Sequence, residues 1–170
     1  MPKWYWEAEV RRIILILFSS IVWLGLTWTL NWQNLVVGGV VSILVGLLFG
    51  NLFLEAPGKV FQFQRWFWFI VYIPVFVWEM AKANFDVAYR VLHPKMPIKP
   101  GIVKVKTKIK SEMGKAFLAN SITLTPGTFT VDIKDEYLYI HCICVRFKDV
   151  EKASKDIVGR FEPLLLKIFD

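Results

Sequence analysis

The stretch IILILFSSIVWLGLTWTLNWQNLVVGGVVSILVGLLFGNLFL, residues 13–54, decides the fold: 42 consecutive residues without one charged side chain. As helix it would extend roughly 63 Å, whereas a bilayer core is about 30 Å thick and is crossed by about 20 apolar residues. The run is therefore two spans long. Its middle is polar, Asn31-Trp32-Gln33-Asn34. The segment reads as a transmembrane helical hairpin with spans at about 13–31 and 35–54.

The rest of the chain agrees with a membrane anchor joined to a small basic domain. The chain has 170 residues, 55% of them hydrophobic, with a formal net charge of +7 and a mean hydropathy of +0.45. Residues 1–92 carry about +2 of that charge and residues 93–170 about +5, while all eight Trp precede residue 79. Glu7 and Glu9 stand before the apolar run, and no small-residue cleavage site follows it. The run is also too long for a signal-peptide core, so it reads as a retained anchor. Cys142 and Cys144 are the only cysteines. They are too few and too close to frame a disulfide domain, which points to a reducing compartment for the second half.

Lys and Arg accumulate on cytoplasmic loops, and Trp favours the interfaces. A hairpin places Lys3, Arg11, Arg12, Lys59 and Arg65 on the inner side, and the uncharged Asn31–Asn34 loop outside. Gly46-x-x-x-Gly50 gives a small-xxx-small spacing suited to close helix packing. A third apolar segment, Trp66–Trp78, is short of a span. Beyond it Glu79, Lys82, Asp86 and Arg90 form a polar stripe, with Lys82–Asp86 and Asp86–Arg90 at i,i+4. A helix over about 61–92 is expected, interfacial or a third membrane span, with Pro74 as a candidate kink. Glu79 has two readings, a proton-carrying carboxylate in the membrane or one member of a solvated stripe, and the spacing favours the stripe.

Residues 93–101, HPKMPIKPG, form a Pro-rich connector. Then Val103, Val105, Thr107 and Ile109 alternate with Lys104, Lys106, Lys108 and Lys110, a strand with one buried and one basic face. The basic face suits acidic lipid or protein partners, or it keeps an edge strand unpaired. Ser111 is a candidate N-cap for a helix over 112–122. Pro126-Gly127 signals a type II turn, and strands follow at Phe129–Ile133 and Tyr137–Arg146. Asp149 caps a final helix that Pro163 should bend or interrupt. The expected order is β-α-β-β-α over residues 102–170, making the whole an α+β membrane protein. Leu138, Ile140, Cys142 and Cys144 share the core face, and the thiols lack zinc-site spacing. His141 faces the other way with Tyr137 and Tyr139. No catalytic grouping, cofactor site or metal site is expected.

The segment ANSITLTPGT, residues 119–128, continued by FTVDI and then by a strand carrying Leu-Tyr-Ile-His, resembles the E-type subunit of multisubunit Mrp/Mnh-type cation/proton antiporters. The resemblance runs over the whole chain and extends to the related subunit of archaeal membrane-bound hydrogenases. It implies a non-catalytic subunit supporting assembly and stability of a Na⁺/H⁺ antiport complex in the cell membrane. Its partners would be the larger subunits and lipids rather than nucleic acid, and its C-terminal domain would be cytoplasmic. The motif residues Asn120, Ser121, Thr123, Thr125, Pro126, Gly127 and Thr128, with Asp132 and His141, are candidates for partner docking or for a structural turn. Two alternatives stay open: the same subunit type in a membrane-bound hydrogenase or respiratory complex, and a membrane-tethered RNA- or lipid-binding module. A self-contained transporter is disfavoured, because an uncharged span pair cannot line an ion path by itself.

Overall fold

The computed structural model describes residues 3–50, 62–147 and 149–170, with side chains from Ala8 onward. Contacts divide the chain into Met1–Phe61 and Gln62–Asp170. Helix α3, which composition grouped with the anchor over 1–92, therefore belongs to the same compact unit as the C-terminal sheet. Composition reports where apolar residues lie; the division reports what they pack on.

In the first unit α1 (Lys3–Thr27) and α2 (Trp32–Phe49) form an antiparallel hairpin. The polar break closes it. Asn31 sits at the N-cap of α2, and its side chain accepts from the Gln33 N–H at 3.4 Å. Asn34 Nδ2 donates to Thr27 Oγ1 at 2.8 Å and Thr29 Oγ1 at 2.9 Å, and Trp23 Nε1 donates to the Asn34 carbonyl at 3.2 Å. These bonds satisfy polar groups that lipid would leave unpaired. Residues 51–54, the end of the expected second span, lie outside the described residues.

The second unit opens with α3 (Phe63–Leu92), a 30-residue helix containing Pro74. It extends well beyond the 13-residue apolar segment, so among the described residues three helices are long and apolar enough to cross a membrane by length and composition. After the connector come β1 (Gly101–Lys106), α4 (Glu112–Leu124), β2 (Thr128–Lys134) and β3 (Tyr137–Cys142). A helix α5 (Val150–Ile157), a 3₁₀ turn (Val158–Arg160) and α6 (Glu162–Phe169) end the chain. The sheet is antiparallel in the order β1-β3-β2. Val103, Val105, Leu138, Ile140 and Cys142 form its buried face, packed with Leu118, Ile122, Phe161, Leu165 and Ile168. Helix α3 joins the same core through Tyr72, flanked by Trp68, Phe69 and Phe76.

Several expectations change in detail. β1 leaves the ladder after Lys106, yet Thr107 and Ile109 stay buried while Lys108 and Lys110 stay exposed. Carboxylates of α6 and Asp170 hold this extension: Glu162 accepts the Lys108 N–H at 2.6 Å, and Asp170 accepts the Lys110 N–H at 2.8 Å. Ser111 occupies the N-cap of α4, but its hydroxyl makes no capping bond. In β2 the register shifts between Thr130 and Asp132. This bulge turns Phe129 and Asp132 outward and leaves Thr130 and Ile133 on the helix side, so the simple Phe129-Val131-Ile133 alternation does not hold. β3 ends at Cys142, so Cys144 is half-buried and off the core face, bridging to Lys99. The final helix breaks at Val158–Arg160, and Pro163 sits in the first turn of α6, where its missing N–H costs nothing.

Candidate functional site

The candidate docking motif lies at the junction of α4, β2 and α3, and most of its hydroxyls point inward. Ser121 is buried, and its hydroxyl donates to the Phe117 carbonyl at 2.5 Å. That uses its one proton, so the Tyr72 hydroxyl donates the bond it shares with Ser121 Oγ. Thr125 Oγ1 donates to the Ser121 carbonyl at 2.8 Å, and Thr128 Oγ1 to the Ile122 carbonyl at 2.6 Å. Thr123 Oγ1 accepts the Thr130 N–H at 3.1 Å, covering a donor on the outer edge of β2. Ser and Thr end helices through such local bonds. Thr125-Pro126-Gly127-Thr128 is the type II turn, closed by Thr128 N–H to Thr125 C=O at 3.3 Å with Gly127 at φ +89°. A Cβ on Gly127 would lie 3.0 Å from Ile143 and 3.4 Å from Val87 of α3. Of the motif, Asn120 is exposed, and Thr123 and Pro126 are half-buried.

The polar stripe of α3 faces the C-terminal domain across a cleft of about 390 Å³ that this turn also lines. Glu79, with its side chain only 14% exposed, pairs with Lys82 and lies 3.8 Å from Arg160. Asp86 binds Arg90 at 2.8 Å and lies 3.8 Å from Arg146. The expected Asp86–Arg90 pair forms, whereas Lys82 pairs with Glu79 instead of Asp86. Glu79 is a part-buried member of an ion-pair network rather than a solvated member of the stripe. Further along α3, Arg65 donates to the Ile168 carbonyl at 2.5 Å, and the Lys167 ammonium lies 3.7 Å from the Trp68 ring centre. The C-terminal domain therefore covers one face of α3 from Arg65 to Arg90. The other face exposes Phe63, Phe67, Ile70, Val77, Trp78 and Phe85.

The basic residues and two motif residues meet on the uncovered face of the sheet. Register places Ile102, His141 and Phe129 in one cross-strand row, Lys104, Tyr139 and Asp132 in the next, and Lys106, Tyr137 and Lys134 in the third. Lys106 pairs with Glu136 at 2.9 Å and Lys134 with Asp132 at 3.3 Å. The hydrogen bond to Glu136 raises the Lys106 pKa and lowers that of Glu136, both side chains being open to solvent. Lys104 lies 3.8 Å over the Tyr137 ring. Sequence reasoning identified the lysines and His141 but missed Ile102, Phe129 and Val131. The bulge that exposes Phe129 leaves no signal in a simple alternation.

In the hairpin, Gly46 and Gly50 face α1 of the same chain. A Cβ on Gly46 would collide with Ile16, and one on Gly50 with Arg12. Gly38, against Trp23, and Ser42, 1% exposed, extend the stripe at a spacing of four.

Comparison with known proteins agrees with this architecture. Residues 16–168 match the family described as Na⁺/H⁺ ion antiporter subunit (MNHE). The chain is 37% identical over 163 residues to the E-type Na⁺/H⁺ antiporter subunit of Alkalihalophilus pseudofirmus, covering 92% of this chain and 97% of that protein. It is 31% identical over 163 residues to the E-type Na⁺/H⁺ antiporter subunit of Bacillus subtilis, with the same coverage. Among solved structures it is similar to a chain of the membrane-bound sulfane sulfur reductase, an archaeal respiratory membrane complex. That match has 44% identity and a TM-score of 0.80, over 94% of this chain and 99% of the other. The chain belongs to the Na⁺/H⁺ ion antiporter subunit family, as a subunit of the E type.

Proposed function

We propose that this chain is the accessory E-type subunit of a multisubunit Mrp-type Na⁺/H⁺ antiport module, holding a large membrane complex together rather than conducting ions. The family match over residues 16–168 carries the reading. The uncharged hairpin supports it, since ion routes need polar groups at membrane depth. The likeness to a chain of a respiratory membrane complex favours a second setting, in which the same subunit joins an antiporter-like module to an oxidoreductase.

In this reading the hairpin spans the membrane with both ends on the cytoplasmic side. Helix α3 lies along the inner surface with its apolar face in the lipid, and the C-terminal domain is cytoplasmic. What supports the placement of α3 is the covering of its other face by Arg160, Arg146 and Lys167. A full crossing would carry those charges and the sheet toward hydrocarbon.

Purification in mild detergent tests the function. The chain should bring several larger membrane proteins with it, and its deletion should lower Na⁺-dependent antiport in vesicles. A lone stable protein, with transport undiminished after deletion, would sink the reading. Mass spectrometry of the native complex separates the two settings by the presence or absence of oxidoreductase components.

A further inference from the structure

We propose that the uncovered face of the β1-β3-β2 sheet docks an acidic segment of another protein subunit of the complex; this rests on the function proposed above. Three observations converge. First, the face is apolar at one end. Ile102 is 62% exposed, Phe129 56% and Val131 51%, and register sets Ile102 and Phe129 on either side of His141. Large apolar side chains left exposed together at one end of a sheet face, around a polar His141, suit an interaction site. Second, the rest of the face is basic. Lys106 and Lys134 have acidic partners, but among the described residues Lys104 on the sheet, and Lys108 and Lys110 on the extension that follows β1, form no ion pair. The spare charge along this line is positive, and complementary potential calls for an acidic partner.

Third, lipid and RNA fit less well. The helices occupy the other face of the sheet, and α3 lies on their side of the domain, bound to α4 through Tyr72–Ser121 and to α6 through Lys167. With the apolar face of α3 in the membrane, the uncovered sheet face points away from it. A base would stack on the sheet aromatics, yet Lys104 already sits over the Tyr137 ring, 3.8 Å from its centre. Strand addition at the edge is also poorly supported. The bulge at Val131 interrupts β2, and Thr123 takes the Thr130 N–H. The contact is therefore through side chains on the face.

The test places a photo-crosslinking phenylalanine analogue at Phe129 or Tyr139 of the full chain, in native membranes holding the complex. Exposed Lys152 on α5 serves as the control position. Crosslinks from both sheet positions to an acidic stretch of one other subunit, above the Lys152 level, support the proposal. So does a drop in retention of Lys104→Glu/Lys108→Glu in the purified complex by about tenfold, equivalent to 1.4 kcal/mol. Restored retention on reversing the crosslinked acids completes that evidence. Crosslinks only to lipid, to RNA or to a second copy of the chain would overturn it, as would none above the control or full retention of the double variant. Circular dichroism and continued protection of Cys142 show that the variants fold. If the unaltered chain brings no other proteins with it, the functional reading falls and takes this proposal with it. If partners co-purify and the sheet stays silent, only the docking proposal falls.

Discussion

Gly46 and Gly39 lie on one helix and have opposite surroundings. A Cβ on Gly46 would strike Ile16 and come within 3.2 Å of the Arg12 carbonyl, whereas one on Gly39 meets nothing within 4 Å. Gly46→Leu should loosen the hairpin by about 1–3 kcal/mol through overpacking, while Gly39→Leu should leave it unchanged. Disulfide trapping between cysteines placed on α1 and α2 reads the difference. The same scale explains the family motif. Tyr72 and Ser121 are 49 positions apart in sequence, and their shared bond ties α3 to α4. Tyr72→Phe and Ser121→Ala should each cost roughly 1 kcal/mol, and the double variant should cost less than their sum. Urea unfolding of the detergent-solubilised chain measures this cycle; full additivity would mean that the two hydroxyls do not interact. Gly127→Ala should cost about 1–3 kcal/mol, since φ +89° strains an L residue and Ile143 sits 3.0 Å from the new methyl. The Pro-Gly turn could be read in the sequence; its contact with Val87 of α3 could not, because only folding brings residues 87 and 127 together.

At the scale of elements, alternation located the three described strands and misjudged them where a side chain or bulge intervened. The basic strand ends at Lys106 because Glu162 and Asp170 take over the amides of Lys108 and Lys110. Those carboxylates come from the far end of the chain, and no local pattern announces them. β3 ends at Cys142, which separates two thiols that alternation had placed together. Cys142 is buried and held above the usual thiol range, first by burial and then by the nearby charge of Asp156. A raised thiol pKa keeps Cys142 protonated until the pH rises beyond the ordinary thiol range, and only the thiolate reacts readily. A maleimide at about pH 7.5, below the usual thiol pKa of roughly 8.5, should therefore label one cysteine per chain, Cys144, in the native state, and both after unfolding. Equal native labelling of the two would contradict the burial of Cys142.

For the whole molecule the decisive quantity is what each apolar surface meets. If the hairpin spans the membrane and α3 does not, cysteines placed at Thr29 and at Lys152 should be labelled from opposite sides of a sealed membrane. Proteases added outside intact cells should leave the C-terminal domain whole, and external cleavage within residues 101–170 would establish a third crossing. By itself the sequence determined that the chain is a membrane protein, that a small α+β domain follows an apolar hairpin, and to which family it belongs; the turn expected at Asn31–Asn34 falls a few residues earlier, at 28–31, because Asn31 caps α2 and residues 32–34 are its first turn. Those conclusions rest on unbroken runs, residue periods and a contiguous motif, which act between near neighbours. Tertiary structure alone decided that the glycine stripe of α2 packs on α1, that α3 belongs to the C-terminal unit, and that Ser121 of the motif bonds Tyr72 of α3. It also decided that Phe129 and Ile102 share the open sheet face with the lysines. Each of these joins residues far apart in the chain, and packing, which has no direction along a sequence, selects among the surfaces that local pattern leaves equivalent.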